Sequence, residues 1–337
     1  LTGHIGHVGS APFSLTGQCN AMGSRALGST ASYPGFRKLD DSKDRDEIAS
    51  LWGCPVEELP KKRTPAKKIF EEIRNGKIKA LWVVGTNPMA SFPDTQQTKK
   101  ALENLEFLVV QDAYHPTETS AFADLVLPAA MWGEKTGTMI NSERRVNLAK
   151  KAVEPPGEAK SDFEIFLTFA KHMGCDSLFK GWQKQEDAFE EIRLVTKGML
   201  CDLYGMTYMR LEKEHGLQWP CPELGHPGTK RLYEDSHFFT PTGKANLLVS
   251  KYEEKIEDVD KEFHFVLNTV RNQYHWHTGT KNIKIEVMNE LSPIPYVEVN
   301  PVDAKACRID DGDRVEVTSK RGAIRVIALR SPDAAPG

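Results

Sequence analysis

The sequence predicts an α/β chain: a parallel sheet first, then a mostly helical stretch, then a β-rich end. Three observations carry this. Between Thr64 and Pro128, short apolar runs alternate with segments of helical pattern, the signature of parallel strands covered by helices. Residues 162–215 combine high charge with helical spacing at Phe163, Phe166, Leu167 and Ala170. From Phe263 onward the pattern turns to short strands with glycines at the turns.

Each element has its own signal. Thr64 is a candidate N-cap with Pro65 at the first helical position; Ile69, Phe70 and Ile73 share one helical face, and Gly76 supplies the stop. Ile78 to Val84 reads as a strand ending in the turn Gly85-Thr86-Asn87-Pro88. Asp94 can cap a helix running to Leu105, and Phe107-Leu108-Val109-Val110 gives the next strand. A short helix from Thr117 leads into Leu125-Val126-Leu127, closed by Pro128. In the last third, strands are expected at Phe265-Val266-Leu267, Tyr296–Val299, Arg314–Val317 and Ile324–Ile327, a series that suggests a barrel. The boundaries that follow are 1–17 for the end of a preceding domain, 18–163 for the sheet domain, 164–261 for a helical or irregular connection, and 262–337 for the barrel. No internal repeat is visible.

Composition narrows the function classes. The 337 residues are 39% hydrophobic and 27% charged, typical of a globular chain with room for two or three domains. A net charge of -3 gives no basic field for nucleic acid or an anionic membrane. No apolar run approaches the ~20 residues of a membrane span. Cysteines at 19, 54, 175, 201, 221 and 307 form no C-x-x-C pair, which argues against a zinc ribbon or an iron–sulfur cluster held by these residues alone. Their scatter fits a reduced compartment better than a disulfide framework. Leu1-Thr2-Gly3 reads as the end of a helix, and the last residues follow a strand without a closing element, so an internal piece of a longer protein is expected.

In a sheet of this kind, ligands sit beyond the carboxyl ends of the strands. The residues there are Thr86-Asn87, Gln111-Asp112 and the loop after Pro128. Asn87 and Gln111 can donate and accept together, and Asp112 can accept from a guanine edge or a ribose; Asx turns and helix caps explain the same residues about equally well. No G-x-G-x-x-G follows a strand, so an ordinary NAD site is not supported. Trp132 to Thr138 and Asn141 to Arg145 read as a dense polar loop whose cations suit phosphate, although for Arg144 and Arg145 a solvated turn with Glu143 pairing is preferred. His275-Trp276-His277 has the spacing of a metal pair but lacks a third ligand. Gln18-Cys19-Asn20, between Gly17 and Gly23, suits a close-approach loop, with Cys19 a structural or incidental thiol because no base is near it in the sequence.

These motifs also carry a resemblance. Pro12 to Gly23 (PFSLTGQCNAMG) resembles a segment of the assimilatory nitrate reductases. Gly85-Thr86-Asn87-Pro88, Gln111-Asp112-Ala113-Tyr114, Thr117-Glu118-Thr119 and Ala123 to Ala130 are similar to the cofactor-binding half of the same family. Trp132 to Arg145, Pro156 to Ala159, Gln218-Trp219-Pro220, Arg231-Leu232-Tyr233 and His275 to Thr278 extend the match over essentially the whole chain. The chain thus resembles the bis-molybdopterin guanine dinucleotide oxidoreductases, nearest to the nitrate reductase catalytic subunit.

The resemblance implies a Rossmann-like sheet domain, a double-psi C-terminal barrel, and two dinucleotides straddling a molybdenum. By matching motifs it assigns dinucleotide contacts to Gln18, Asn87, Gln111, Asp112, Lys135, Asp162, Thr269, Arg271, His275, Trp276, His277 and Thr278. Thr16 and Arg25 would lie towards the metal and substrate funnel, where a cation helps draw in a small anion. The residue that ligates the metal and the [4Fe-4S] domain of the family would precede Leu1. The implied reaction is reduction of nitrate to nitrite, with ferredoxin, flavodoxin or a reductase subunit as electron donor. The assimilatory match leans cytoplasmic, with the periplasm left open. A formate dehydrogenase of the same fold is the alternative; that group carries arginine where Thr16 stands here. A third reading is a cofactor-binding piece with no turnover of its own. The sequence departs from the family at Cys19 (proline), Ala26 (glutamate) and Val270 (glycine).

Overall fold

A computed structural model describes residues 3–10, 15–252 and 257–337. Leu1-Thr2 and the Pro12-Phe13-Ser14 start of the quoted motif therefore lie outside the described residues. Along the chain run α1 (Ala21–Ala26), α2 (Ser42–Trp52), α3 (Ala66–Arg74), β1 (Ala80–Val84), α4 (Pro88–Ser91), α5 (Thr95–Glu103), β2 (Phe107–Asp112), β3 (Leu125–Pro128), β4 (Gly137–Ile140) and β5 (Arg145–Ala149). There follow α6 (Asp162–His172), α7 (Gln185–Val195), α8 (Tyr208–Lys213), β6 (Leu217–Gln218), α9 (Glu286–Leu291), β7 (Tyr296–Val299), α10 (Pro301–Cys307), β8 (Arg314–Ser319) and β9 (Gly322–Arg330). No helix among the described residues is long and apolar enough to cross a membrane.

The chain divides into two compact units, each made of two segments. One comprises residues 1–65 and 128–249, the other 66–127 and 250–337.

The second unit holds the sheet that the apolar runs predict, ordered β1-β2-β3. β1 and β2 are parallel, in a register that sets Val84 opposite Gln111. Phe70 and Ile73 of α3 and Ala101 and Leu102 of α5 form one buried cluster with Val83, Leu108 and Val110. That is why the helical face Ile69-Phe70-Ile73 is apolar while the rest of α3 is charged. α3 stops as expected: the Gly76 amide bonds back to the Ile73 carbonyl at 2.9 Å, and Gly76 takes φ +71°. Asp94 caps α5, accepting from the Gln97 amide at 3.2 Å. The helix expected from Thr117 is only a single 3-10 turn, Ser120–Phe122.

The end of this unit is a three-stranded sheet ordered β7-β9-β8, with β7 parallel and β8 antiparallel to β9. The expected strand Phe265-Val266-Leu267 is irregular, and the three residues are 46%, 63% and 60% exposed. A strand needs a ladder partner, and no described strand pairs with it. The described strands do not close into a barrel.

The first unit centres on an antiparallel sheet, β4-β5-β6, where the sequence had suggested a polar loop. Ile140 and Val146 of this sheet are buried with Ala26, Phe189, Leu203, Met206, Leu211, Leu217 and Trp219. Cys201 and Cys221 lie fully buried in the same core. Burial pushes the Cys201 thiol up to about 12, which makes it a packing residue rather than a nucleophile. α6 begins with a reciprocal cap: Ser161 Oγ accepts from the Glu164 amide and Glu164 Oε2 from the Ser161 amide.

Candidate functional site

The strand ends of the second unit gather the polar residues into one network. The Gly85 amide donates to the Gln111 carbonyl at 2.9 Å, which continues the β1–β2 ladder past Val84. Gly85 takes φ +60°, and a Cβ there would meet open space. This lets the chain turn to bring Asn87, 4% exposed, beneath the 117–120 loop. Asn87 Oδ1 accepts from the Thr119 amide at 3.2 Å and from Thr119 Oγ1 at 2.7 Å. Asn87 Nδ2 donates to Glu118 Oε2 at 2.6 Å and to Thr280 Oγ1 at 3.1 Å. All four hydrogen-bonding positions of this amide are thereby filled. Gln111 is fully buried beside the turn, and Asp112 Oδ1 accepts from the Tyr114 amide at 2.9 Å, forming an Asx turn.

Thr280 connects this network to the loop that the sequence singles out near its last third. Thr278 and Thr280 hydroxyls lie 2.9 Å apart, so Asn87, Thr280 and Thr278 form one chain of contacts. The neighbouring loop is held by Asn282, only 8% exposed. Its Oδ1 accepts from the Trp276 amide at 3.0 Å, and its Nδ2 donates to the Tyr274 carbonyl at 2.8 Å and to His275 Nδ1 at 3.2 Å. Because an amide nitrogen only donates, His275 Nδ1 carries the lone pair, and Nε2–H donates to the Ser292 carbonyl at 2.8 Å. Both ring nitrogens of His275 are occupied inside the loop. Trp276 stays 38% exposed with the Arg271 guanidinium 5.8 Å from its ring centroid. His277, at φ +47°, meets Trp276 edge-on, and Thr269 is exposed upstream.

In the first unit, Lys135 and Asp162 form an ion pair with each other, and Asp162 is the first residue of α6. Thr16 Oγ1 donates to Gln18 Oε1 at 3.4 Å, and the Thr16 carbonyl accepts from Ser142 Oγ at 3.5 Å. Arg25 is exposed on α1. Cys19 is exposed, with its thiol 3.7 Å from Met139 Sδ. Asn20 Oδ1 accepts from the Ile140 amide at 2.9 Å and ties α1 to β4. A Cβ at Gly23 would collide with that same oxygen, so the close approach expected in this loop is made at Gly23.

Two residues matter more than the sequence suggests. Asn282 has no local signature, because its partners are fixed only once the loop closes. Arg144 was expected in a solvated turn; instead it donates to the carbonyls of Trp219, of Thr229 at 3.0 Å and of Lys230 at 3.1 Å. Its guanidinium lies 5.2 Å from the Trp219 ring centroid, and burial pushes its pKa down. Arg145 does pair with Glu143, at 3.1 Å.

The donor set fits the nucleotide end of a pterin dinucleotide. It offers paired amide and carboxylate groups for a base edge and ribose, open space beside Gly85, and a half-exposed indole for a ring to lie on. The described residues hold no group of three or more His, Cys, Asp or Glu side chains able to hold a metal ion.

Comparison with known families decides the lineage. Residues 1–172 match the molybdopterin oxidoreductase family, and residues 265–337 match the molydopterin dinucleotide binding domain. The chain belongs to the molybdopterin oxidoreductase family. Within that family it is 41% identical to a nitrate reductase of Synechocystis sp., covering 100% of this chain and 48% of the relative. It is 40% identical to the F420-dependent formate dehydrogenase subunit alpha of Methanocaldococcus jannaschii, with the same coverages. Against the assimilatory nitrate reductase catalytic subunit of Bacillus subtilis it is 37% identical, over 97% of this chain and 46% of the relative. The chain therefore spans about half the length of the curated relatives it matches. Among solved structures, acetylene hydratase from Pelobacter acetylenicus shares the fold, with a TM-score of 0.66 at 18% identity, over 94% of this chain and 44% of that one.

Proposed function

We propose that this chain is part of the catalytic subunit of a molybdenum-dependent nitrate reductase and holds its molybdopterin guanine dinucleotide. The observation that carries the cofactor reading is the Asn87–Thr280 hydrogen bond. It ties the strand-end turn, inside the molybdopterin oxidoreductase match, to the loop inside the dinucleotide-binding match. In this reading Gln111 and Asp112 contact the base and ribose, while Arg271, Trp276, His277 and Thr278 line the dinucleotide beside them. Asn87 and His275 act through the loops they hold, since their own hydrogen-bonding atoms are engaged within the unit. Thr269, Gln18, Lys135 and Asp162 are assigned as contacts by the same motif matches. The metal, when bound, supplies the oxygen-atom chemistry, and this chain supplies orientation and electrostatics. Thr16 and Arg25 face the substrate, and Thr16 in place of arginine favours nitrate. A [4Fe-4S] cluster elsewhere in the longer protein, a donor such as ferredoxin, flavodoxin or a reductase subunit, a closed double-psi barrel and a cytoplasmic location belong to the same reading.

Formate oxidation is the second reading, because the formate dehydrogenase relative is as similar as the nitrate reductase. Two measurements test the proposal. Acid release of GMP from the purified protein should give a guanine nucleotide that copurifies with it; its absence would remove the cofactor assignment. In the longer protein, reduced viologen with nitrate, and oxidised viologen with formate, should show nitrate turnover only. Formate oxidation without nitrate reduction would overturn the substrate.

A further inference from the structure

The corner of the first unit formed by residues 27–40, with Trp52 and residues 60–63, has no part in the dinucleotide reading. Two adjoining depressions open there, of about 340 and 410 Å3, sharing Ala31, Ser32, Leu39, Lys62 and Arg63. Such volumes lie at the small end of ligand sites. Their walls differ in chemistry. The first is lined by Arg37, Lys38, Lys61, Lys62 and Arg63, with Asp40 as its one carboxylate. The second is walled by Leu27, Tyr33, Pro34, Trp52 and Pro60, and so is mostly apolar and aromatic.

Arg37 makes this a built site rather than a surface charge run. It is 1% exposed. Its Nε donates to Glu47 Oε2 at 3.1 Å, and its Nη1 donates to the carbonyls of Pro34 at 2.9 Å and Val195 at 2.7 Å. Nη2 donates to no described residue. A guanidinium immobilised by three bonds, in a residue that lines the first depression, is pre-organised for an oxyanion. Lys38, Lys61, Lys62 and Arg63 are exposed and form no ion pair with a described residue, in a chain whose net charge is -3. Like charges gathered without partners destabilise a fold unless an anion is there to meet them.

We propose that this corner binds a small phosphorylated aromatic molecule of the nucleoside di- or triphosphate class. Its phosphates lie against Arg37 and the Lys61–Arg63 run, and its ring lies in the depression walled by Trp52. A bare phosphate would use only the basic half.

The test is a titration of the purified protein with a fluorescent ADP, followed by anisotropy, with unlabelled ADP and inorganic pyrophosphate as competitors. Saturable binding is expected, displaced by ADP and more weakly by pyrophosphate. Lys62→Glu/Arg63→Glu should weaken it by about tenfold or more, the loss of two charge-assisted contacts. GMP released from the same variant should be unchanged, which separates this site from the dinucleotide site. No saturable binding up to about 1 mM overturns the proposal, as does an affinity that the double variant leaves intact. Equal competition by pyrophosphate and ADP overturns the aromatic half of it.

Discussion

Asn87 and Arg37 are both polar, almost fully buried and placed in turns, yet they are finished differently. Asn87 has two donors and two acceptor positions, and every one has a partner within its unit. Arg37 has three bonds to its own unit and one terminal nitrogen left over. A buried amide whose bonds all close on protein is a shape-holding device, because any ligand that contacted it would first have to break a bond already made. A buried cation in a residue that lines a depression, with one donor left over, is what the proposed binding site requires. In the proposals above, the difference separates a residue that positions a ligand from one that touches it, and motif matching cannot see it: Asn87 stands in a family motif, whereas the cations of the Arg37 corner do not.

Breaking the closed network should have the largest effect. Asn87→Leu leaves the Thr119 amide and hydroxyl, both fully buried, without their acceptor and removes the link to Thr280. A loss of about 3 kcal/mol in unfolding free energy is expected, from two buried donors left unsatisfied. Urea unfolding measures it, and GMP content should fall with it. If GMP is lost while stability is retained, Asn87 touches the ligand and the positioning role is wrong.

How far the sequence revealed these features depends on the range of the contacts involved. α3 was legible because Ile69, Phe70 and Ile73 state their own periodicity, and the Asp94 cap because its partner is three residues away. The β4–β5 hairpin was hidden: Thr138, Asn147 and the charged turn Asn141–Arg145 mask an alternation whose buried members are Ile140 and Val146. Phe265-Val266-Leu267 failed in the opposite sense, since an apolar run predicts a strand only if a partner strand is present. At the strand ends the position of Asn87, Gln111 and Asp112 followed from topology alone. That Asn87 closes its bonds within its own unit did not, because the Asn87–Thr280 bond spans 193 residues. Asn282 was invisible for another reason: its partners Tyr274, His275 and Trp276 are near in sequence, but they meet it only once an irregular loop has closed.

Asn282→Ala tests the same principle on a smaller network. It removes an acceptor for the Trp276 amide and the donor that fixes the His275 tautomer. A loss of about 1.5 kcal/mol is expected, with Asn282→Asp recovering the Trp276 contact but not the His275 one. The indole of Trp276 should become more accessible to a fluorescence quencher in the alanine variant and partly recover in the aspartate variant. Unchanged quenching in both would mean that the loop is held elsewhere.

Below this lies the α6 cap, which adds a pH signature. Hydrogen bonds from the Ser161 hydroxyl and amide hold the Glu164 carboxyl below its ordinary value near 4.5. A carboxyl depressed in the folded state contributes stability above its unfolded value, and this is lost as pH falls through the folded one. Ser161→Ala should therefore cost about 1 kcal/mol at neutral pH. The gap from the parent should narrow as pH falls below about 4.5 and Glu164 protonates. A gap that stays constant with pH would assign the cost to Ser161 packing alone, including its 3.3 Å contact with Gln185 Nε2.

The smallest effect is expected where the cations have no partners. Lys62→Ala/Arg63→Ala removes two exposed side chains that form no ion pair with any described residue. Its stability should stay within about 0.5 kcal/mol of the parent, as for surface substitutions generally. A modest gain is the direction to watch, because the change relieves repulsion within a basic rim that also includes Lys38 and Lys61. That gain should shrink in high salt, which screens exposed charges. Added ADP should stabilise the parent against urea and leave the variant unmoved, since a ligand stabilises only a fold that binds it. A variant clearly less stable than the parent without any ligand would instead show that these cations hold the fold, and the contrast with Asn87 would disappear.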